Sequence, residues 1–285
     1  MKQTHYTPNV GNIPVSGGVT TIPASQIPQG NTTEFVLTAD TVAAGCAWTV
    51  ADVARIRVLA GNVAFIDVGL PAYQAWMQRF SPRHSAVLAT GKVLPIPFHF
   101  LDEKGQKRRK VCQVPPNMPI SIQIQWGAFV AGIAEAVNLL TVQDPNVAPQ
   151  YSPLLIGNQM QVAAGGVNRP YDPKMEGLLR AIVINTTGLT GFSMTVAGRQ
   201  LYDQIRGDAL YGEELVAQAA DGTTGATADP VCVKQPMLPM NSGDALVKLT
   251  TLVAVWGGVN NELTLYLVQP EGKEAVEAAA SGALA

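Results

Sequence analysis

The sequence predicts an all-β chain made of two tandem β-sandwiches of one fold, each carrying a short helix. Three observations predict it: a repeat of very long period, short strand patterns broken by turn residues, and a scarcity of charge. Phe65-Ile66-Asp67-Val68-Gly69-Leu70-Pro71-Ala72-Tyr73 aligns with Met194-Thr195-Val196-Ala197-Gly198-Arg199-Gln200-Leu201-Tyr202. This matches Gly69 with Gly198 and Tyr73 with Tyr202 at an offset of 129 residues. Trp126-Gly127 matches Trp256-Gly257 at an offset of 130, and Cys112, ahead of Pro115 and Pro119, matches Cys232, ahead of Pro236 and Pro239, at 120. Solenoids repeat every ~20–50 residues, so a period this long describes duplicated domains.

The 285 residues suffice for two domains, each able to bury its own core. Only 14% of the residues are charged, against roughly 25% in ordinary soluble domains. Much of the surface is therefore expected to be covered, most simply by neighbouring subunits. A net charge of −2 gives no reason to expect specific nucleic-acid binding. Met1-Lys2-Gln3-Thr4 does not begin a secretory leader, and the apolar stretch 127–140 contains Glu135 and falls short of the ~20 residues a membrane helix needs. Cys46, Cys112 and Cys232 are odd in number and far apart, which reads as reduced, buried thiols of a protein made in a cytosol.

Residues 1–31 carry Pro8, Pro14, Pro23 and Pro28 among Gly, Thr and Gln. Proline at that density opposes helix and central strand alike, so an extended N-terminal arm is expected. The first sandwich is placed at 32–143. Alternation and β-branching predict strands at 32–38, 55–60 and 62–68. Pro71 to Phe80 has proline at a helical start and apolar residues at helical spacing, hence a short helix. Val93 to Leu101, the turn Asp102-Glu103-Lys104-Gly105 and Arg109 to Val114 read as a hairpin, with strands 120–126 and 135–143 completing the unit.

Residues 144–175 form the expected connector, within which 159–163 is the candidate first strand of the second unit. The second sandwich is placed at 176–270, with strands at 178–185, 191–197, 231–234, 245–256 and 262–269 and a helix from Arg199 to about Ile205. The Ala-rich 271–285 is the C-terminal tail. About eight short strands and one helix per unit fit a jelly roll better than an immunoglobulin-type sandwich, which has seven to nine strands and no internal helix.

Chemistry-bearing motifs are missing. The three histidines are His5 in the arm, His84 after the first helix and His99 within Phe98-His99-Phe100; none sits in a zinc, calcium, phosphate-loop or nucleophile-elbow pattern. His99 reads as a core or interface residue, no catalytic or cofactor-binding residue is assigned, and no enzymatic activity is expected. Lys107-Arg108-Arg109-Lys110 is the one concentrated charge. It reads as a solvated hairpin arm, or as a contact with phosphates or with acidic groups of an adjacent subunit. Trp126 and Trp256, at matching places in the two copies, read as packing residues.

Ala54-Arg55-Ile56-Arg57-Val58 and Phe98-His99-Phe100 in the first unit carry a likeness, as do Leu179-Arg180-Ala181-Ile182-Val183-Ile184, Phe192 to Gly198 and Val255-Trp256-Gly257 in the second. In these fragments and in its organisation over most of 32–270, the chain resembles the double jelly-roll major capsid proteins of tailless icosahedral membrane-containing phages of the corticovirus type. The resemblance implies a structural coat protein of the virion. It implies homotrimers of pseudo-hexagonal outline, lateral contacts between trimers, and contacts with minor capsid, vertex or membrane proteins and with an internal lipid membrane. Some relatives bind structural calcium; no ligand pattern for it is matched here, and no cofactor or metal residue is assigned. The competing expectations are a minor spike or vertex protein of a virion, and a two-domain β-sandwich carbohydrate-binding protein. A bicupin enzyme would need clustered histidine and carboxylate ligands that three dispersed histidines do not supply.

Overall fold

The computed structural model describes residues 2–13, 18–39, 48–61, 63–97, 99–101, 107–109, 112–114, 119–127, 136–145, 154–160, 170–171, 178–196, 198–220, 229–239, 250–257 and 261–268. The first repeat runs β1 (Gln3–Asn12), β2 (Gly18–Ile22), β3 (Gly30–Ala39), β4 (Val53–Ala60), β5 (Val63–Gly69), α1 (Leu70–Phe80), α2 (Pro82–Leu88), β6 (Val93–Pro97), β7 (His99–Leu101), β8 (Lys107–Arg109), β9 (Cys112–Val114), β10 (Ile120–Trp126) and β11 (Ala136–Gln143). The second runs β12 (Leu154–Met160), β13 (Pro170–Tyr171), β14 (Leu178–Ile184), β15 (Leu189–Val196), β16 (Arg199–Ile205), α3 (Gly207–Ala220), β17 (Val231–Pro239), β18 (Thr250–Trp256) and β19 (Asn261–Val268).

Both repeats pair their strands in the same way. The first has β1-β11-β3-β6, with β9 alongside β3, and β2-β10-β4-β5; the second has β12-β19-β14-β17 and β13-β18-β15-β16. Taken in chain order, the eight principal strands of each repeat form sheets 1-8-3-6 and 2-7-4-5. First pairs with last and second with second-last, which is the jelly-roll winding of an antiparallel sandwich. The hairpin β7–β8 and strand β9 are additions between the sixth and seventh strands of the first repeat. By packing, Met1–Leu70 with Phe80–Pro153 belongs to one compact unit and Pro71–Arg79 with Leu154–Pro270 to the other.

Period-two burial explains the strands. In β10, Ile120, Ile122, Ile124 and Trp126 are buried, while Ser121, Gln123 and Gln125 between them are not. Phe35 and Leu37 of β3, Ile56 and Val58 of β4, and Val137 and Leu139 of β11 are buried with them in the first sandwich. The second core is filled by Ile182 and Ile184 of β14, Phe192 and Met194 of β15, Leu252 and Ala254 of β18, and Leu263 of β19. Across β4 and β5, Asp67 takes ion pairs from Arg55 and, at 3.0 Å, from Arg57.

The segment expected to be an arm is not one. Residues 3–12 pair with β11, Gln3 against Gln143 and Asn12 against Ala136, and 18–22 pair with β10, Gly18 against Trp126. Proline is accommodated because β1 is an edge strand that bulges between Thr7 and Gly11, around Pro8. Asn9 there takes φ +51°, and its amide donates to Asn138 Oδ1 at 3.0 Å instead of to the ladder. The expected first strand of the second repeat also lies earlier than 159–163, at Leu154–Met160. The tail 271–285 lies outside the described residues.

The expected helix at 199–205 is strand β16, and the helix of that repeat follows it as α3. The repeat anchors shift accordingly. Gly198, at φ +80°, lies between β15 and β16, and its counterpart is Gly61, at φ +60°, between β4 and β5. Both use the left-handed region that glycine enters without steric cost. Gly69 instead ends β5; Tyr73 is buried in α1, whereas Tyr202 is half-buried in β16. The Cys112–Cys232 match dissolves too: Cys112 pairs with Thr32 near the start of β3, Cys232 with Val183 near the end of β14.

Trp126 and Trp256 do occupy equivalent places, at the ends of β10 and β18. Trp126 Nε1 donates to Thr20 Oγ1 at 2.7 Å and Trp256 Nε1 to the Asn185 carbonyl at 2.8 Å. The following glycines repeat one bond as well: Gly127 N–H to the Asp52 carbonyl at 2.7 Å and Gly257 N–H to the Gly188 carbonyl at 2.8 Å. Each sandwich is thus closed at one corner by an indole with its polar edge satisfied.

Two outcomes follow. Trp126→Ala and Trp256→Ala should each cost about 3–5 kcal/mol through cavity formation and lost hydrogen bonding, read from denaturant unfolding; a change below about 1 kcal/mol would contradict the corner's role. Removing residues 1–22 deletes two strands, so the truncated protein should show no cooperative thermal transition for the first repeat, as measured by calorimetry.

Candidate functional site

Two polar groups stand out inside the fold. The first ties α2 to β3. Ser81, the residue before α2, places Oγ 2.6 Å from His84 Nδ1, and His84 Nε2 lies 3.2 Å from Glu34 Oε1 on β3. A carboxylate only accepts, so the pairing has Nε2–H donating to Glu34, and in the neutral ring Nδ1 accepts from the Ser81 hydroxyl. The order serine–histidine–carboxylate resembles a nucleophile relay, but Ser81 is only 6% exposed and its hydroxyl is spent on a ring one helical turn away. The arrangement holds a helix end against a strand; it offers no oxygen to a substrate.

The second group lies in the second compact unit. Arg79, at the end of α1, places Nε 3.0 Å from Glu214 Oε1 on α3, and the two side chains are 4% and 2% exposed. Gln218 Nε2, one turn further along α3, donates to the same oxygen at 3.2 Å. Cys232 of β17 is buried beside the pair; burial pushes its thiol well up, Glu214 adds to the rise and Arg79 opposes it. The thiol is therefore protonated near neutral pH and a poor nucleophile or metal ligand. At the rim, the Tyr202 phenol is raised by burial and then by Glu213, to which its hydroxyl donates at 3.3 Å.

Helix α3 is built around this group, and its polarity is inverted as a result. It buries Gly207, Leu210, Glu214 and Gln218, while Leu215 and Val216 are 42% and 72% exposed. Helix α1, by contrast, buries Ala72, Tyr73, Ala75, Trp76 and Met77, with Tyr73 stacked on Trp76 at 5.9 Å.

Lys107, Arg108 and Arg109 form β8, antiparallel to β7, with His99 opposite Arg109 and Phe100 opposite Arg108. Lys110 lies outside the described residues, as do Cys46 and the turn 102–105. Among the described residues no group of three or more His, Cys, Asp or Glu side chains is placed to hold a metal ion, and no helix is long and apolar enough to cross a membrane. Sequence reasoning missed the Arg79–Glu214 pair and α3 alike. The signal for α3 was present in Asp208 at the first turn and in the Ala, Leu and Glu that follow.

The buried pair has a measurable signature. Glu214→Gln leaves Arg79 buried without its counter-charge and should cost about 3–5 kcal/mol. The double variant Arg79→Met/Glu214→Leu should recover most of that loss. A single variant as stable as the parent in urea unfolding would show that the pair carries no structural weight.

No protein-family profile and no curated protein sequence matches the chain. Similar solved structures do exist. The major capsid protein of bacteriophage PM2 superposes with a TM-score of 0.59 at 12% identity, over 95% of this chain and 100% of that one. A chain of the Sulfolobus Turreted Icosahedral Virus structure gives 0.56 at 10% identity, over 99% and 97%. The Faustovirus major capsid protein gives 0.51 at 8% identity, over 95% and 91%. The chain has the double jelly-roll fold of these viral capsid proteins.

Proposed function

We propose that this chain is the major coat subunit of an icosahedral virion and that it works as a homotrimer. The observation that carries this reading is the pair of complete jelly rolls wound alike in one chain, a fold shared over nearly the full length with major capsid proteins. Three such chains bring six sandwiches to one ring, which gives a pseudo-hexagonal block able to tile a closed shell. The low charge supports the same reading. Obligate interfaces bury about 2,000–5,000 Å² and are depleted in charge at their cores, and only 14% of this chain's residues are charged.

The role is structural, played in the virion capsid after synthesis in a host cytoplasm. The trimer's lateral neighbours are other trimers, with minor capsid and vertex proteins where the lattice changes direction. Lys107-Arg108-Arg109-Lys110, on an added hairpin, is the candidate contact with lipid phosphates of an internal membrane or with acidic groups of an adjacent subunit.

Light scattering on the purified protein, with negative-stain images of the same peak, tests the reading. The expected result is a mass three times the 30.1 kDa chain with hexagonal outlines. A monomer across the micromolar range that yields no particles on co-expression with the other virion proteins would favour a minor virion component or a carbohydrate-binding module.

A further inference from the structure

We infer that the outer face of α3 is a subunit joint, and that its occupant is a second copy of this chain presenting α2. The inference deepens the coat-subunit reading above and rests on it. The first observation is the inverted polarity of α3. A helix on a sandwich normally turns its apolar stripe inward; this one sets Glu214 and Gln218 beside Gly207 and Leu210 on its inner face and leaves Leu215 and Val216 outside, Val216 at 72% exposure.

The second observation is the repeat. Helix α1 follows the fifth strand of the first repeat, and α3 follows the fifth strand of the second. Within the second compact unit α1 is buried, and its Arg79 sits on Glu214 of α3. The helix of one repeat is thus received by the helix of the next. Applying the same step once more hands α3 to the helical segment of a following first repeat, which only a second copy can supply. The contact is heterologous, head to tail, and such a contact closes when the rotation allows a ring. Three chains with two repeats each complete the six-membered ring of the proposed trimer.

The third observation is charge and apolar match. In the segment after α1, α2 exposes Val87 at 41%, and residues 81–92 contain Arg83 and Lys92 but no carboxylate. Around the outer face of α3 stand Asp208, already paired with Arg206 at 3.5 Å, and Glu213. An apolar centre whose surround is net acidic on the α3 side, where Arg206 offsets one of the two carboxylates, and basic on the α2 side is a pattern that steers and registers a protein interface.

The double variant Val87→Cys/Val216→Cys tests the joint when treated with a short bismaleimide, with the parent chain and its three native cysteines as control. The expected result is a ladder of covalent dimer and trimer, ending at the trimer, that the control lacks. Val216→Glu, at an exposed site, should keep the parent's circular dichroism and weaken trimer association at least tenfold. Trimers by light scattering that give only monomer on the gel, together with a Val216→Glu chain that trimerises normally, would overturn the joint and leave the coat-subunit reading standing. A parent chain that is monomeric at every concentration and forms no particles would overturn both.

Discussion

Each sandwich depends on the pairing of its first strand with its last. In the first repeat Gln3 lies opposite Gln143, and in the second Leu154 lies opposite Leu267. No sheet of the 1-8-3-6 order exists until the whole repeat has been wound. The closing contact is therefore the most distant in sequence, and its loop entropy must be met by the apolar rows already assembled. This is why a proline-bearing segment is drafted into the sheet. Its cost is confined to a bulge at Pro8, where Asn138 replaces the ladder acceptor that Asn9 loses. The Trp-Gly pairs fix the seventh strand to the start of the fourth in both repeats, by Gly127 N–H to the Asp52 carbonyl and Gly257 N–H to the Gly188 carbonyl.

A buried ion pair is an expensive way to join two helices. Removing Arg79 and Glu214 from water costs several kcal/mol per ion, and their mutual attraction offsets this only with good geometry and further hydrogen bonds. Here Glu214 Oε1 faces Arg79 Nε and also accepts from Gln218, so the carboxylate is not left under-bonded. What the pair supplies over a leucine contact is direction. An apolar patch accepts α1 in several rotations, whereas a single buried guanidinium accepts one carboxylate. The raised thiol of Cys232 reports the same environment, since burial dominates and the two ions act on it with opposite sign.

Strands with one buried face were legible in the sequence because their alternation is physical. Ile120 to Trp126 and Phe192 to Val196 each place large side chains at every second position. Where burial does not alternate, the pattern fails. Strand β16 is exposed or half-exposed throughout, so Arg199 to Ile205 carries no strand signature, and Tyr202 suggested a false equivalence with the helical Tyr73. The true anchor, Gly61 with Gly198, consists of two turn glycines with no distinctive neighbours. Strands β1 and β2 were hidden for another reason: proline density speaks against a central strand, and β1 is an edge strand. The Arg79–Glu214 pair was illegible because only the fold brings a residue of the first repeat's helix to a residue of the second's.

Duplication alone would give two interchangeable units and no rule for stopping. A chain of equal units joined head to tail either closes or grows as a filament, depending on rotation alone. The two helices after the fifth strands break that equivalence. One has become a buried apolar helix, with Tyr73, Trp76 and Met77 sealed by its own chain; the other keeps an apolar face in solvent. The difference separates a helix covered by its own chain from one whose outer apolar side chains meet solvent. The asymmetry of α1 and α3 therefore makes two repeats of one winding chemically inequivalent.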